Sequence, residues 1–171
     1  MTAPGPAIRI GQGFDVHPFS GDTDRPLVLG GVSFAGLPAL AGHSDGDVIA
    51  HAVTDALLGA AGLGDIGRHF PDTDPALAGA DSVGLLRRAV AALHDAGWYP
   101  HNVDCTVVLE EPRVDPQRAA IEARLGEAVG APVTVKGKRA EGLGALGRAE
   151  GIACFAVALV SRGAPVDGES A

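Results

Sequence analysis

The sequence predicts an α+β domain: a mixed, four-stranded-type sheet with its helices on one face. Three observations carry that prediction. The chain has 171 residues, the length of one domain or slightly more. It is 46% apolar and 20% charged with a mean hydropathy of +0.19, so it can bury a core and is no disordered, solvating segment. Its periodic stretches come as two strands, two helices, a strand, a helix and two strands, an order that points to a mixed sheet.

Residues 8–17 read as the first strand and 27–34 as the second, and the turn cluster 21–26 makes the two a hairpin. Ile49, Ala52, Val53, Ala56, Leu57 and Ala60 stand at helical spacing within 46–63, and Ser44, three residues ahead of Asp47, reads as the cap. Val83, Leu86, Ala89, Val90 and Leu93 mark a second helix over 82–96 that Gly97 stops. A strand over 103–109, a helix over 115–129 and a short strand over 132–136 follow. Residues 151–160 are apolar almost without interruption, as in a strand buried on both faces. Small residues and Pro at 1–7, and Gly, Pro and acids at 163–171, make flexible tails around a single domain, 8–162.

Composition narrows the function. With 13 Lys and Arg against 21 Asp and Glu, the net charge of -8 argues against an extended nucleic-acid surface, but not against a small anion held by a few local cations. The 25 glycines, about twice the usual ~7%, imply tight turns and close backbone approaches. Cys105 and Cys154 lie in apolar runs without metal-ligand spacing and read as buried free thiols. No run of 18 uncharged apolar residues occurs, and the first residues lack the pattern of a signal or transit peptide, so no membrane partner and a bacterial cytoplasmic location are expected.

Asp15 and His17 are two apart on a strand and so share one face. His51 falls on the first helix, away from its apolar stripe, with Asp47 and Asp55 four residues to either side. One carboxylate and two imidazoles make a three-ligand zinc site with an open fourth position, whose His51 ring Asp47 or Asp55 would orient. On spacing alone, an exposed or hydrogen-bonded pair is the commoner explanation of Asp15 and His17, and nothing in the spacing says that strand and helix meet. The segment 42–47 puts a histidine and two acids at a helix start, where Ser44 also reads as a plain cap. The loops 64–67 and 70–75 are either functional or merely solvated turns. Lys136, Lys138 and Arg139, followed by Glu141 and a Gly-rich loop with Arg148, suit phosphate, though such clusters are commonly solvated.

Taken together, the strand 9–17, the run Ser44-Asp45-Gly46-Asp47-Val48 with His51-Ala52, the loop Gly64-Asp65-Ile66-Gly67, the run Phe70-Pro71-Asp72-Thr73-Asp74-Pro75 and the ending Gly147-Arg148 with 150–154 resemble the 2-C-methyl-D-erythritol 2,4-cyclodiphosphate synthase family of the non-mevalonate isoprenoid pathway. The resemblance spans 8–162. It implies a homotrimer with sites between subunits, and zinc (Zn2+) on Asp15, His17 and His51. The phosphate end of the substrate then meets His43 and Ser44, with Val16 beside the ligands. Asp65, Ile66 and Gly67 hold the ribose and erythritol side, and Phe70, Pro71, Asp72, Thr73 and Asp74 line the pocket. Leu109, Glu110, Glu111, Pro112, Arg113, Val114 and Asp115 read the cytosine from a neighbouring subunit, and Glu141 helps hold Mg2+ or Mn2+ on the diphosphate.

The implied reaction is intramolecular. The 2-phosphate of 4-diphosphocytidyl-2-C-methyl-D-erythritol 2-phosphate attacks the β-phosphorus of its own diphosphate and CMP leaves, so no protein nucleophile is needed. His43 would stabilise the developing charge. The chain departs from the family where threonines usually stand, at Lys138-Arg139-Ala140, and Arg139 is expected to supply charge stabilisation in their place. Ala145 stands where the family carries an aromatic lining a trimer cavity, with Arg148 at its base. The competing function is a catalytically silent, zinc-containing trimer that binds nucleoside diphosphates.

Overall fold

A computed structural model describes residues 8–163; the expected tails 1–7 and 164–171 lie outside the described residues. In chain order the elements are β1 (Ile8–Pro18), β2 (Pro26–Leu29), β3 (Val32–Pro38), α1 (Val48–Ala61), α2 (Ile66–His69), α3 (Ser82–Asp95), β4 (Trp98–Val108), α4 (Arg118–Val129), β5 (Val133–Lys138), α5 (Gly144–Gly147) and β6 (Gly151–Arg162). The main sheet has the order β1-β6-β4-β5, antiparallel except for the parallel β4–β5 pair. The expected α+β class and mixed four-stranded sheet are what the chain forms. No helix among the described residues is long and apolar enough to cross a membrane.

The stretch 27–34 is not one strand and does not pair with β1. Gly30 and Gly31, both at positive φ, turn the chain within it, so β2 and β3 make their own two-stranded hairpin. Consecutive left-handed residues twist as a tight hairpin requires, and glycine adopts them without strain. β1 pairs instead along its whole length with β6, the last strand. The expected β4 start moves back from 103 to Trp98, with an irregularity at His101, and the helix expected over 115–129 opens with a 3-10 turn at Asp115–Gln117.

Helix α1 sits on the sheet at unusually short range. Gly11 and Gly13 face it from β1, and a Cβ on Gly13 would stand 2.7 Å from Ala56 N and closer still to the Ala52 carbonyl. Alanines at 52, 56 and 60 complete that close approach from the helix side. α3 packs over α1, so nearly the whole circumference of α1 is buried, and Ile49, Leu57 and Leu58 are fully enclosed. Truncating any one of these to Ala would cost about 2–5 kcal/mol. His51 is therefore inside the protein and not on an outward face, contrary to the expectation from the apolar stripe. Asp47, not Ser44, caps α1, its Oδ1 accepting the N–H groups of Ile49 and Ala50 at 3.1 Å.

On the other face of the sheet no described element covers β1 and β6 along most of their length. Ile8, Ile10, Phe14 and Val16 of β1 and Phe155 and Val157 of β6 stand exposed, with Ile10 at 71% and Phe155 at 47%. The expectation that β6 is buried on both faces holds only for its inner face, Ile152, Cys154, Ala156, Ala158 and Val160. Both cysteines are buried and unbridged, as expected.

Candidate metal centre and substrate cleft

The close seating of α1 on β1 sets the site. Asp15 and His17 point from the inner face of β1, just beyond Gly13, and His51 descends on them from the first turn of α1. Asp15 Oδ2 lies 2.9 Å from His17 Nε2 and 2.9 Å from His51 Nδ1, and the two ring nitrogens are 3.2 Å apart. These three atoms form the cluster of metal-ligand type found among the described residues. Val16, between the two strand ligands, points to the opposite, exposed face and can offer only backbone to the site.

The donor set fits a zinc ion. Zinc bonds of about 2.0–2.1 Å in tetrahedral geometry hold their donors roughly 3.3 Å apart, close to the observed triangle. His17 Nδ1 lies 2.6 Å from the Ala41 carbonyl, which can only accept, so Nδ1 carries the proton and Nε2 presents a lone pair. Burial pushes the Asp15 carboxyl up, yet hydrogen bonds and attraction from His17 and His51 hold it well below the usual carboxylate range. The bond to Asp15 raises His17 above its ordinary value against the opposing effect of burial.

The trio opens into a cleft of about 430 Å³, of the size that takes a small ligand. His43 and Ser44 line it from the loop before α1, Ile66 and Gly67 from α2, and Phe70 and Asp72 from the following loop. His43 Nε2–H donates to the Asp74 carbonyl at 2.8 Å. Asp65 caps α2 through Arg68 N–H, and Asp74 caps the 3-10 turn at Pro75–Leu77. Pro71 and Thr73 belong to the same loop. Leu77 and Leu85 add an apolar wall that the sequence reading did not include.

Neither Asp47 nor Asp55 orients His51. Asp47 also accepts the N–H groups of Gly30 and Gly31 at 2.8 and 2.6 Å, tying the hairpin turn to the helix start. Burial and the neighbouring Asp45 charge push its carboxyl up to about 6 against those donors. Asp55 accepts Ile66 N–H at 2.7 Å and so anchors α2. The partners of His51 Nε2 are Ser82 Oγ at 2.8 Å and Ser44 Oγ at 3.0 Å. Ser82 was legible only as a helix start.

A second, smaller cleft of about 200 Å³ lies between the 109–115 segment and Gly137, Lys138 and Arg139. It shares no lining residue with the first. Glu110, largely shielded, pairs with Arg139 at 2.8 Å and accepts Ala140 N–H at 3.0 Å, so the 109–115 segment and the loop after β5 are stapled together. That pair holds the Glu110 carboxyl below its ordinary range. Glu141 is exposed, in the left-handed region at φ 52, and makes no ion pair among the described residues. Arg148 pairs with Glu150 at 2.5 Å.

Residues 8–161 match the YgbB family. Over 158 residues the chain is 56% identical to 2-C-methyl-D-erythritol 2,4-cyclodiphosphate synthase of Bordetella petrii, covering 91% of this chain and 96% of that one. It is 52% identical over 158 residues to the synthase of Dechloromonas aromatica, covering 91% and 98%. Among solved structures it is similar to bifunctional IspDF from Campylobacter jejuni, with a TM-score of 0.86 and 39% identity, over 91% of this chain and 42% of that longer one. It is also similar to IspF of Plasmodium falciparum in complex with CDP, with a TM-score of 0.79 and 34% identity over 92% and 98%.

Proposed function

The chain belongs to the YgbB family, among relatives that are 2-C-methyl-D-erythritol 2,4-cyclodiphosphate synthases, and from that premise we propose that it cyclises 4-diphosphocytidyl-2-C-methyl-D-erythritol 2-phosphate to the 2,4-cyclodiphosphate with release of CMP. The observation that carries the reading is the convergence of Asp15, His17 and His51 at the mouth of a cleft that His43 also lines. A zinc ion on those three residues, with a second divalent ion on Glu141 and the substrate's own phosphates, would supply Lewis acidity and neutralise phosphate charge.

The protein's task is then to fold one molecule back on itself. Nucleophile and electrophile are already tethered, so holding them in attack geometry supplies most of what a second reactant would otherwise lose in freedom. The rigid seat of Asp15, His17 and His51 fixes one phosphate end. His43 offers an N–H, now given to the Asp74 carbonyl, that a phosphate oxygen in the cleft would take over. Ile66 and Gly67 present backbone from a turn that Asp55 pins, which suits a sugar-like chain lying across it. The second cleft, bounded by the 109–115 segment, takes the cytidine end. Lys138 and Arg139 on its rim face the diphosphate once Arg139 exchanges Glu110 for a phosphate oxygen.

Because the two clefts share no residue and sit at opposite edge strands of the sheet, roughly three strand spacings or ~14 Å apart, we assign them to different copies of the chain. The uncovered apolar face of β1 and β6 is the surface on which those copies meet, in a closed homotrimer. Phosphorus NMR of the purified protein with zinc, Mg2+ and the cytidyl substrate tests the reading: the cyclic product and CMP should appear together. Binding of CDP without any CMP release would replace it with the silent nucleotide-binding trimer.

A further inference from the structure

Behind the metal centre lies a short chain of polar side chains. His51 Nε2 lies 2.8 Å from Ser82 Oγ, which in turn lies 2.5 Å from Asp45 Oδ1. Asp45 takes two further donors, Asp47 N–H on Oδ1 and Ser82 N–H on Oδ2, both at 3.1 Å. A carboxylate only accepts, so the Ser82 hydroxyl proton is committed to Asp45. Ser82 Oγ then meets His51 with lone pairs alone, and the proton between them must sit on His51 Nε2. That tautomer leaves Nδ1 bare, and Nδ1 is the atom turned toward Asp15 Oδ2 and His17 Nε2. The direction of each proton follows from one carboxylate at the far end.

We propose that Ser82, held by Asp45, is a positioning residue that fixes His51 as an Nδ1 ligand of the metal; the proposal rests on the metal-site reading above. Ser82 is the first residue of α3 and almost fully buried, while Asp45 stands in the loop before α1. The same loop is stapled to the approach to α3 twice more, by Asp45 N–H on the Ala80 carbonyl at 3.1 Å and by Gly79 N–H on the His43 carbonyl at 2.8 Å. Ligand orientation and the placement of His43 therefore share an anchor. Ser44 Oγ, at 3.0 Å, offers His51 Nε2 a longer second acceptor, so removing Ser82 should loosen the ring without freeing it.

The test compares zinc affinity, measured by competition with a chromophoric chelator, and the visible spectrum of the cobalt-loaded protein. The wild-type zinc content, one ion per chain, checks the metal-site reading by itself, and the variants are read only against a wild type that passes. Ser82→Ala should bind zinc about 10- to 100-fold more weakly, the usual cost of losing a partner behind a ligating imidazole, with shifted cobalt bands. Asp45→Asn, whose amide cannot accept on both sides, should weaken zinc at least as much, and the double variant should add little, since both changes break one chain. Wild-type zinc affinity and an unshifted cobalt spectrum in Ser82→Ala, with only the melting temperature lowered, would make Ser82 a structural residue of α3 and overturn the proposal. Additive losses in the double variant would do the same. Should a variant fail to fold, nitrogen-15 shifts of His51 in the zinc-loaded wild type decide: a protonated Nε2 with a metal-bound Nδ1 is expected, and the reverse refutes it.

Discussion

Replacing Gly13 by alanine places a methyl carbon 2.7 Å from the backbone nitrogen of Ala56 and nearer still to the carbonyl of Ala52. Both obstacles are backbone, so no rotamer change relieves them. To reach the 3.4 Å at which ordinary contact begins, α1 must lift from β1 by at least about 0.7 Å, and the carbonyl demands more. Overpacking of this kind costs about 1–3 kcal/mol when the core can adjust, and here the obstacle is a helix clamped between sheet and α3. The displacement also has a chemical consequence, because His51 immediately precedes Ala52 while Asp15 lies two residues beyond Gly13. A lift of that size opens the 2.9 Å approach of Asp15 Oδ2 to His51 Nδ1. Gly13→Ala should therefore lose stability in urea unfolding and zinc affinity in chelator competition together. Gly59→Ala is the control: it lies on the same helix, its Cβ would have nothing nearer than Gln12 O at 3.9 Å, and helix propensity alone should leave it unchanged or up to about 1 kcal/mol more stable. A Gly13→Ala protein that unfolds at the wild-type urea midpoint and binds zinc as tightly would refute the seating of α1 on β1.

His43→Ala should keep full zinc occupancy, measured by elemental analysis, and lose most of kcat, because His43 touches the cleft and none of the three ligand atoms. In the metal-free protein His17 titrates above its ordinary 6.5, so its share of stability is complete below that pH and is lost as pH rises through the raised value; zinc, which needs the bare imidazole, gains over the same interval. Melting curves at pH 6.5 and 8.5 should accordingly fall for the metal-free protein and rise relative to it for the zinc-loaded one, and parallel shifts would contradict this. Phe155→Asp, on the uncovered face beside Phe14, should leave a monomer by light scattering that still binds zinc but has no synthase activity; an active monomer would sink the shared site. Arg139→Ala should reduce turnover by about 10²- to 10³-fold while backbone donors of the loop persist; wild-type rates for Arg139→Ala would leave that guanidinium as Glu110's partner alone.

Local chemistry was legible in the sequence where a short motif carries both residue type and spacing. Asp15 and His17 share a strand face by period two, and His51 follows from the run that starts at Ser44. What escaped was set by contacts far apart in the chain. The pairing of β1 with β6 joins Ile8 to Ser161, and no local pattern encodes it. The break at Gly30-Gly31 was locally written but concealed inside an apolar run that read as one strand. The outward turn assigned to His51 came from treating α1 as a surface helix; with α3 above it and the sheet below, its polar face is interior too. Ser82 and Asp45 are 37 residues apart and carry ordinary capping and loop identities, so only the fold shows that they meet behind His51.

A helix buried on almost every side must satisfy each polar group it carries, since an unpaired buried donor or acceptor costs about 1–3 kcal/mol. On α1 that requirement explains the arrangement around the site. Asp47 closes the helix start and gathers Gly30 and Gly31; Thr54 returns its hydroxyl to the Ala50 carbonyl at 2.8 Å; Asp55 takes Ile66 N–H. His51 is the one whose Nδ1 finds, within its own fold, only a carboxylate oxygen and another imidazole nitrogen. With the ring proton held on Nε2 by Ser82, Nδ1 is left as a lone pair facing a carboxylate oxygen and a second imidazole, an arrangement that a cation among the three would relieve. The packing that makes α1 the centre of the fold thereby also builds the candidate metal cluster, and stability and metal affinity should rise and fall together in any variant that shifts the helix.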